Sequence, residues 1–173
     1  MMDQNTQPLP LDAETKAAER PVDHKAELKL WLRLLTCCNL IEAEIRRRLQ
    51  ARFAVTLPRF DLLAQLDKVP DGLSLGETSR RMMVSNANVT TLVERLVADG
   101  LISRRTDPRD RRTSYISLTP TGRTAFAAMA SAHEQWIAEL FADLDAREVA
   151  SLMQLLGKTK LSVGRATGKG AKR

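Results

Sequence analysis

From residue 24 onward the apolar positions fall at helical spacing. Leu30, Leu34, Cys38, Ile41, Ile45 and Leu49 recur at intervals of 4, 4, 3, 4 and 4, which keeps them on one face of a helix over about 24–53. Leu28, Trp31, Leu32 and Leu35 widen that stripe at its N-terminal end. Such a helix is expected to bury more than one face, against its own core and against a second chain. Pro58 opens a second helix at a tolerated first-turn position, with Phe60, Leu62, Leu63 and Leu66 as its apolar members. Pro70-Asp71-Gly72 marks a turn. Ser74 then caps a short helix to about Met82, with Glu77 placed as its capping-box partner. Ser85 caps a further helix that runs to Asp99, and Gly100 ends it where a left-handed residue is needed.

The period then changes. Two alternating, β-prone runs, 101–105 and 113–118, flank Thr106-Asp107-Pro108-Arg109-Asp110-Arg111-Arg112, a loop of turn formers, which predicts a hairpin with a basic tip. Pro120-Thr121-Gly122 introduces a helix to about Leu144, and Asp145 caps a last one over 146–161. The apolar members of these two include Phe126, Met129, Trp136, Ile137, Phe141, Leu152 and Leu156. Residues 1–23 hold three prolines and little periodicity, so a flexible arm is expected there. No internal repeat is visible.

Charge sharpens this outline. The chain has 173 residues and a net charge of +6, and segment 158–173 alone carries six cations and no acid. The remainder is therefore neutral, yet within it the segment 101–123 holds six arginines against Asp107 and Asp110. A basic loop and a basic tail on a neutral body point to a polyanionic partner. The last residues, 163–173, are read as a flexible basic tail.

With 43% apolar and 28% charged residues the chain has the composition of a soluble globular domain. No apolar run reaches the roughly 18 residues of a membrane helix, and no secretory signal is evident, so a cytoplasmic location without membrane contact is expected. Cys37 and Cys38 are adjacent and the only histidines are His24 and His133. That is neither a disulfide framework nor a metal site. Phosphate-loop, zinc-protease and serine-hydrolase motifs are lacking, so the chain is not read as an enzyme and no cofactor is expected.

Two short helices, a tight turn, a capped third helix and a basic hairpin make a winged helix-turn-helix. The expected fold is mostly α with a small β-hairpin wing and an all-α dimerisation body. A helix fits the major groove and presents its N-terminal side chains to base edges. A basic hairpin beside it reaches the adjoining minor groove, where negative potential is concentrated. The helix 85–99 buries Val89, Leu92, Val93 and Leu96 and leaves Ala87, Thr91, Glu94, Arg95 and Ala98 open, with Asn88 and Thr90 on the flanks. Asn and Arg pair bidentately with adenine and guanine, and a Thr methyl suits thymine. Double-stranded DNA is the expected partner, and Ser85, Asn86, Asn88, Thr90, Thr91 and Arg95 are the candidate contacts.

One stretch carries a resemblance. Ser85, Thr90-Thr91-Leu92, Arg95-Leu96, Gly100-Leu101-Ile102, Arg104, Asp107-Pro108, Asp110, Arg112, Leu118-Thr119 and Gly122, at these spacings, resemble the MarR family (multiple antibiotic resistance regulators). The wing pattern Asp-Pro-x-Asp-x-Arg followed by Leu-Thr-x2-Gly is its most specific part, and the element order extends the likeness over roughly residues 26–162. The resemblance implies a homodimeric transcription regulator. Residues 58–119 would be the reading head, and 24–57 with 120–162 the dimerisation helices. Arg112 would enter the minor groove with Asp110 holding it, while Arg109 and Arg111 would meet phosphates. Two-fold symmetry places half-sites roughly 10 base pairs apart on a pseudo-palindromic operator. Repression is the family's common mode.

The resemblance also implies a small aromatic or anionic effector bound between head and dimer helices. Arg46, Arg47, Arg48, Arg52 and Arg59 cluster at the first helix junction. Glu42 and Glu44 account for Arg46 and Arg48 as i,i+4 pairs, which leaves Arg47, Arg52 and Arg59 for phosphates or for an effector's anion. An arginine-rich rim fits aromatic acids and their CoA thioesters, ligands of the branch that governs aromatic-acid catabolism. Pocket walls would come from Trp31, Leu35, Phe60, Leu63, Met129 and Trp136, each of which also reads as plain core. Asn39 and His133 interrupt apolar surroundings, and each needs a partner, whether a ligand or a core contact. Cys37 and Cys38 read first as small buried fillers. The alternative to a ligand-switched protein is a constitutive or thiol-redox-responsive regulator.

Overall fold

The computed structural model describes residues 26–106 and 113–168. Helix α1 spans Ala26–Phe53 and α2 Leu57–Asp67, followed by a two-residue strand β1, Leu73–Ser74. Then come α3 (Leu75–Met82), α4 (Asn86–Ala98), β2 (Ile102–Thr106), β3 (Ser114–Leu118), α5 (Pro120–Leu140) and α6 (Ala146–Ala166). The protein is mostly helical with a small antiparallel sheet, the winged-helix architecture expected from its sequence pattern.

The sheet has three strands, in the order β1-β3-β2, rather than the two of a simple hairpin. β1 pairs antiparallel with β3 through Leu73↔Ile116 and Ser74↔Tyr115. Two residues are too few to show an alternating pattern, and only the tertiary partner makes them a strand. β2 and β3 pair from Ile102↔Leu118 to Thr106↔Ser114.

Two helix ends also differ from expectation. α5 stops at Leu140, short of Leu144. Its last amides turn to tighter bonds, Ala142 N to Glu139 O at 3.3 Å and Leu144 N to Phe141 O at 3.0 Å. Asp145 then needs extended backbone (φ −73°, ψ 169°) to build a complete capping box with Glu148. α6 runs past 161 to Ala166, so the first residues of the expected flexible tail are helical. Gly164 inside it costs only about 1 kcal/mol, and the helix ends at Thr167 and Gly168, where φ is +66°.

The coordinates divide into two compact units, with the boundary between His133 and Glu134. In the first, α2, α3, α4 and the sheet close a core in which Leu49, Leu62, Leu63, Leu66, Val89, Val93, Leu96 and Ile116 are at most 1% exposed. Full burial of each such side chain stabilises by about 1.5–3 kcal/mol. Only the C-terminal half of α1 joins this core, through Ile45 and Leu49. In the second unit α6 has no buried residue.

Candidate nucleic-acid interface

Local chemistry builds the helix-turn-helix. Ser74 caps α3, its Oγ accepting from Glu77 N at 3.1 Å, while Thr78 Oγ1 donates back to Ser74 O at 2.9 Å. The expected capping box is only half formed. The Glu77 carboxylate turns instead to Arg80 and Arg81, at 2.5 and 2.9 Å. The Arg81 hydrogen bond holds Glu77 below the usual carboxylate range; loss of solvation opposes it, and the charges of Arg80 and Arg81 assist. The turn passes through Met83 in left-handed backbone (φ 54°), and Ser79 Oγ donates to Val84 O at 2.6 Å to close it.

Ser85 opens α4 in extended backbone and its Oγ accepts from Asn88 N at 3.3 Å. The Ser85 hydroxyl is thus placed as the helix cap. Asn86, Ala87, Asn88, Thr91, Glu94, Arg95 and Ala98 are exposed and Thr90 is half-buried. Val89, Val93 and Leu96 face inward, with Leu92 half-buried. Thr90 Oγ1 donates to Asn86 O and Thr91 Oγ1 to Ala87 O, at 2.9 and 3.3 Å. Their hydroxyl protons are spent on the helix itself, so these threonines offer an incoming base their methyls and oxygen lone pairs. The helix ends in a Schellman motif. Leu101 N donates to Leu96 O at 3.0 Å and Gly100 N to Val97 O at 2.9 Å, with Gly100 at φ +69°.

β2 leaves that motif with Ile102 buried and Ser103–Thr106 exposed, so Arg104 and Arg105 project from the wing. Arg104 Nη2 donates to Ser114 Oγ at 3.3 Å. In the sequence both residues add to the segment's charge and Arg104 belongs to the family pattern, while their exposed position on the strand comes from the fold. The candidates Arg109, Asp110, Arg111 and Arg112, with Asp107 and Pro108, lie outside the described residues.

A knuckle joins the end of α4, the start of β2 and α5. Thr119 Oγ1 donates to Gly100 O and lies within hydrogen-bonding distance of Leu101 O, at 2.7 and 3.2 Å, and accepts from Gly122 N at 2.9 Å. A Cβ at Gly122 would lie 1.8 Å from the Leu101 carbonyl oxygen. Glycine is required here by close backbone approach, which gives the Leu-Thr-x2-Gly spacing a physical reason.

The arginine cluster expected to meet an effector takes a different form. Arg46 pairs with Glu42 at 2.7 Å and Arg48 with Glu44 at 2.6 Å, as the spacing implied. Arg47 is not left over. It bonds Glu44 twice, at 2.8 and 2.7 Å, an i,i+3 contact that an i,i+4 count overlooks. The hydrogen bonds from Arg47 and then Arg48 lower the Glu44 carboxyl to about 2. Arg52 lies over the Phe53 ring, 5.4 Å from its centroid. Arg59 is paired with Asp99.

Of the expected pocket walls, Phe60, Leu63, Met129 and Trp136 are buried, whereas Trp31 and Leu35 are exposed. The Phe60 ring stacks 5.0 Å from half-buried His133 and 5.6 Å from Phe126, so His133 has a core contact. Nearby, loss of solvation and then the Glu42 carboxylate push Asp61 above its ordinary range, against the pull of His133 and Arg46. Asn39, Cys37 and Cys38 are exposed, contrary to the expectation of burial. All three sit where α1 has left the core. A cavity of about 330 Å³ in the second unit is lined by Ile137, Phe141, Val149, Leu152, Leu156 and their neighbours, and by none of the expected effector residues. Among the described residues no group of three His, Cys, Asp or Glu could hold a metal, and no helix is long and apolar enough to cross a membrane.

Comparison with known proteins gives this geometry its family. The MarR family profile matches residues 55–114, the stretch from the end of α1 to the start of β3. A MarR family transcriptional regulator from Silicibacter pomeroyi is 31% identical, with a TM-score of 0.68, over 79% of this chain and 94% of that one. The chain belongs to the MarR family. As such it is a DNA-binding transcription regulator. The Transcriptional activatory protein BadR of Rhodopseudomonas palustris is 29% identical over 82% of this MarR chain and 83% of its own length. A MarR family regulator from Streptomyces coelicolor, solved in complex with DNA, has the same fold, with a TM-score of 0.71 at 21% identity over 83% and 92% of the two chains.

Proposed function

We propose that this MarR protein acts as a homodimer that reads a pseudo-palindromic operator, with α4 in the major groove and the wing in the minor groove. The observation that carries the reading is α4 itself. Its apolar face is closed into the head while Asn86, Asn88, Thr91 and Arg95 stay exposed at and beyond its capped N-terminus. Exposed Arg104 and Arg105 extend the cationic surface along the wing. In this proposal residues 58–119 form the head, and 24–57 with 120–162 the dimerisation helices. Arg112 enters the minor groove beside Asp110, and Arg109 and Arg111 hold phosphates. The similar fold from Streptomyces coelicolor, solved in complex with DNA, supports DNA as the partner.

The proposed mode is repression relieved by a small aromatic anion, such as an aromatic acid or its CoA thioester. Similar proteins carry both kinds of name, BadR that of an activator and YetL of Bacillus subtilis that of a repressor. For the ligand the proposal rests on the exposed cationic side chain of Arg52 near the end of α1, which lies over the Phe53 ring and is not given an acidic partner by the Glu42 and Glu44 pairs. A second reading, thiol-responsive release, is favoured by one observation, the exposure of Cys37 and Cys38.

Fluorescence anisotropy on the duplex upstream of the protein's own gene, beside a scrambled duplex, tests this. The operator is expected to bind far tighter, with affinity falling steeply with salt. Arg112→Ala should weaken operator binding by about 1–3 kcal/mol without changing the dimer. Full affinity in that variant would remove Arg112 from the wing contact. Release by an aromatic acid or thioester supports the ligand switch. Release by peroxide, lost in Cys37→Ser or Cys38→Ser, supports the thiol reading instead.

A further inference from the structure

The way a recognition helix is docked in the major groove decides which of its side chains reach base edges. The buried face of α4 is anchored in the core by Val89, Val93 and Leu96. One ion pair reaches its C-terminal end, between Arg59 in the first turn of α2 and Asp99, the C-cap of α4, forty positions apart in sequence.

Neither residue is where a helix alone would put it. A carboxylate is disfavoured at the negative end of a helix dipole, and Asp99 stands there on α4. A cation is disfavoured at the positive end, and Arg59 stands there on α2. The Arg59 side chain is only 16% exposed against 47% for Asp99, and Arg59 Nε is buried without a hydrogen-bond partner. A buried unsatisfied donor adds a third cost. Local propensity opposes the pair at both ends, and only the crossing of α2 and α4 brings the two charges together.

We infer that Arg59 and Asp99 form a positioning clamp, which fixes the C-terminal end of α4 on α2 and so sets the angle at which the helix meets base edges. The clamp rests on the reading of α4 as the operator-recognition helix. It also takes Arg59 away from effector and phosphate: one guanidinium nitrogen is bound to Asp99, another is buried, and the stem is covered. Arg59 touches no base in this arrangement and acts through α4.

The test uses the full-length protein on the upstream and scrambled duplexes at matched salt. Asp99→Asn and Arg59→Gln should each lower the ratio of operator to scrambled affinity by about tenfold, the order of a coupled ion pair, with the salt dependence unchanged. The double swap Arg59→Asp with Asp99→Arg moves each charge to the helix end that favours it. The swap should restore the ratio to within about twofold, with a Tm no lower than the wild-type value. A merely stabilising pair would move Tm and leave the ratio alone, which overturns the clamp. So does a swap that fails to restore discrimination, or a salt slope that falls by about one in Arg59→Gln, the mark of a phosphate contact. If Arg59→Gln does not fold, Asp99→Asn, at a half-exposed cap, decides by the same ratio. A wild-type protein that does not discriminate overturns the operator reading and the clamp with it. A wild-type protein that does discriminate, with variants equal to it, overturns the clamp alone.

Discussion

Helices α4 and α6 both carry apolar side chains at helical spacing, and they reach opposite states. α4 buries Val89, Val93 and Leu96, each at most 1% exposed. α6 leaves Leu155, Leu161 and Val163 between 55% and 64% exposed and buries nothing. The contrast recurs within a single helix: Leu30 and Trp31 of α1 are 53% and 56% exposed, whereas Ile45 and Leu49 are at most 3%. An apolar stripe states that a face is to be covered, and the covering element is a separate matter. In the head it is α2, α3 and the sheet of the same chain. For the open half of α1 and for α6, a large exposed apolar surface is the mark of an interaction face, and the proposed dimer assigns it to a second copy.

Stability measurements sharpen that contrast. Leu96→Ala should cost about 2–5 kcal/mol, and that cost should be the same at two protein concentrations, because Leu96 is fully buried within its own protomer. Denaturant titration at two concentrations reads both. Trp31→Glu combined with Leu155→Glu should leave the head folded, shift the protein to monomer in sedimentation velocity, and lower operator affinity by about a hundredfold as two-headed binding is lost. A persistent dimer would break the comparison, since these faces would then have some other purpose.

The smallest effect belongs to the polar side of α1. Glu44 titrates at about 2 in the fold against 4.5 ordinarily, because Arg47 and Arg48 bond its charged form. A depressed carboxyl pKa stabilises the fold above pH 4.5, and that contribution is lost as pH falls from there toward 2. The group is near the surface, so Glu44→Gln should cost only a few tenths of a kcal/mol at pH 7. Thermal unfolding should show the cost vanishing by about pH 2.

Much of the head was legible because its signals are local. Ser85, Gly100 and the alternation of 113–118 act on their own neighbours in sequence, and each does what its chemistry predicts. Strand β1 was not legible, since Leu73 and Ser74 become a strand only by meeting Ile116 and Tyr115. The arginine cluster misled for a similar reason. Arg47 found Glu44 at a spacing of three, and Arg59 found Asp99 across forty residues, where no sequence window looks. Of the candidate site, the exposed polar face of α4 followed from periodicity, whereas Asn39 and both cysteines were expected inside on an apolar stripe that the protomer leaves open.

The sequence by itself determined the order of the helices and of the two hairpin strands, the Ser85 and Asp145 caps, the polar face of α4 and the basic character of the wing. These depend on backbone preference, side-chain spacing and charge, all of which are written within a few residues of where they act. The tertiary structure alone decided the third strand, the close approach of Gly122 to Leu101, and the pairing of Arg59 with Asp99. Each needs two distant segments in one place, and that coincidence is fixed by the packing of a whole core.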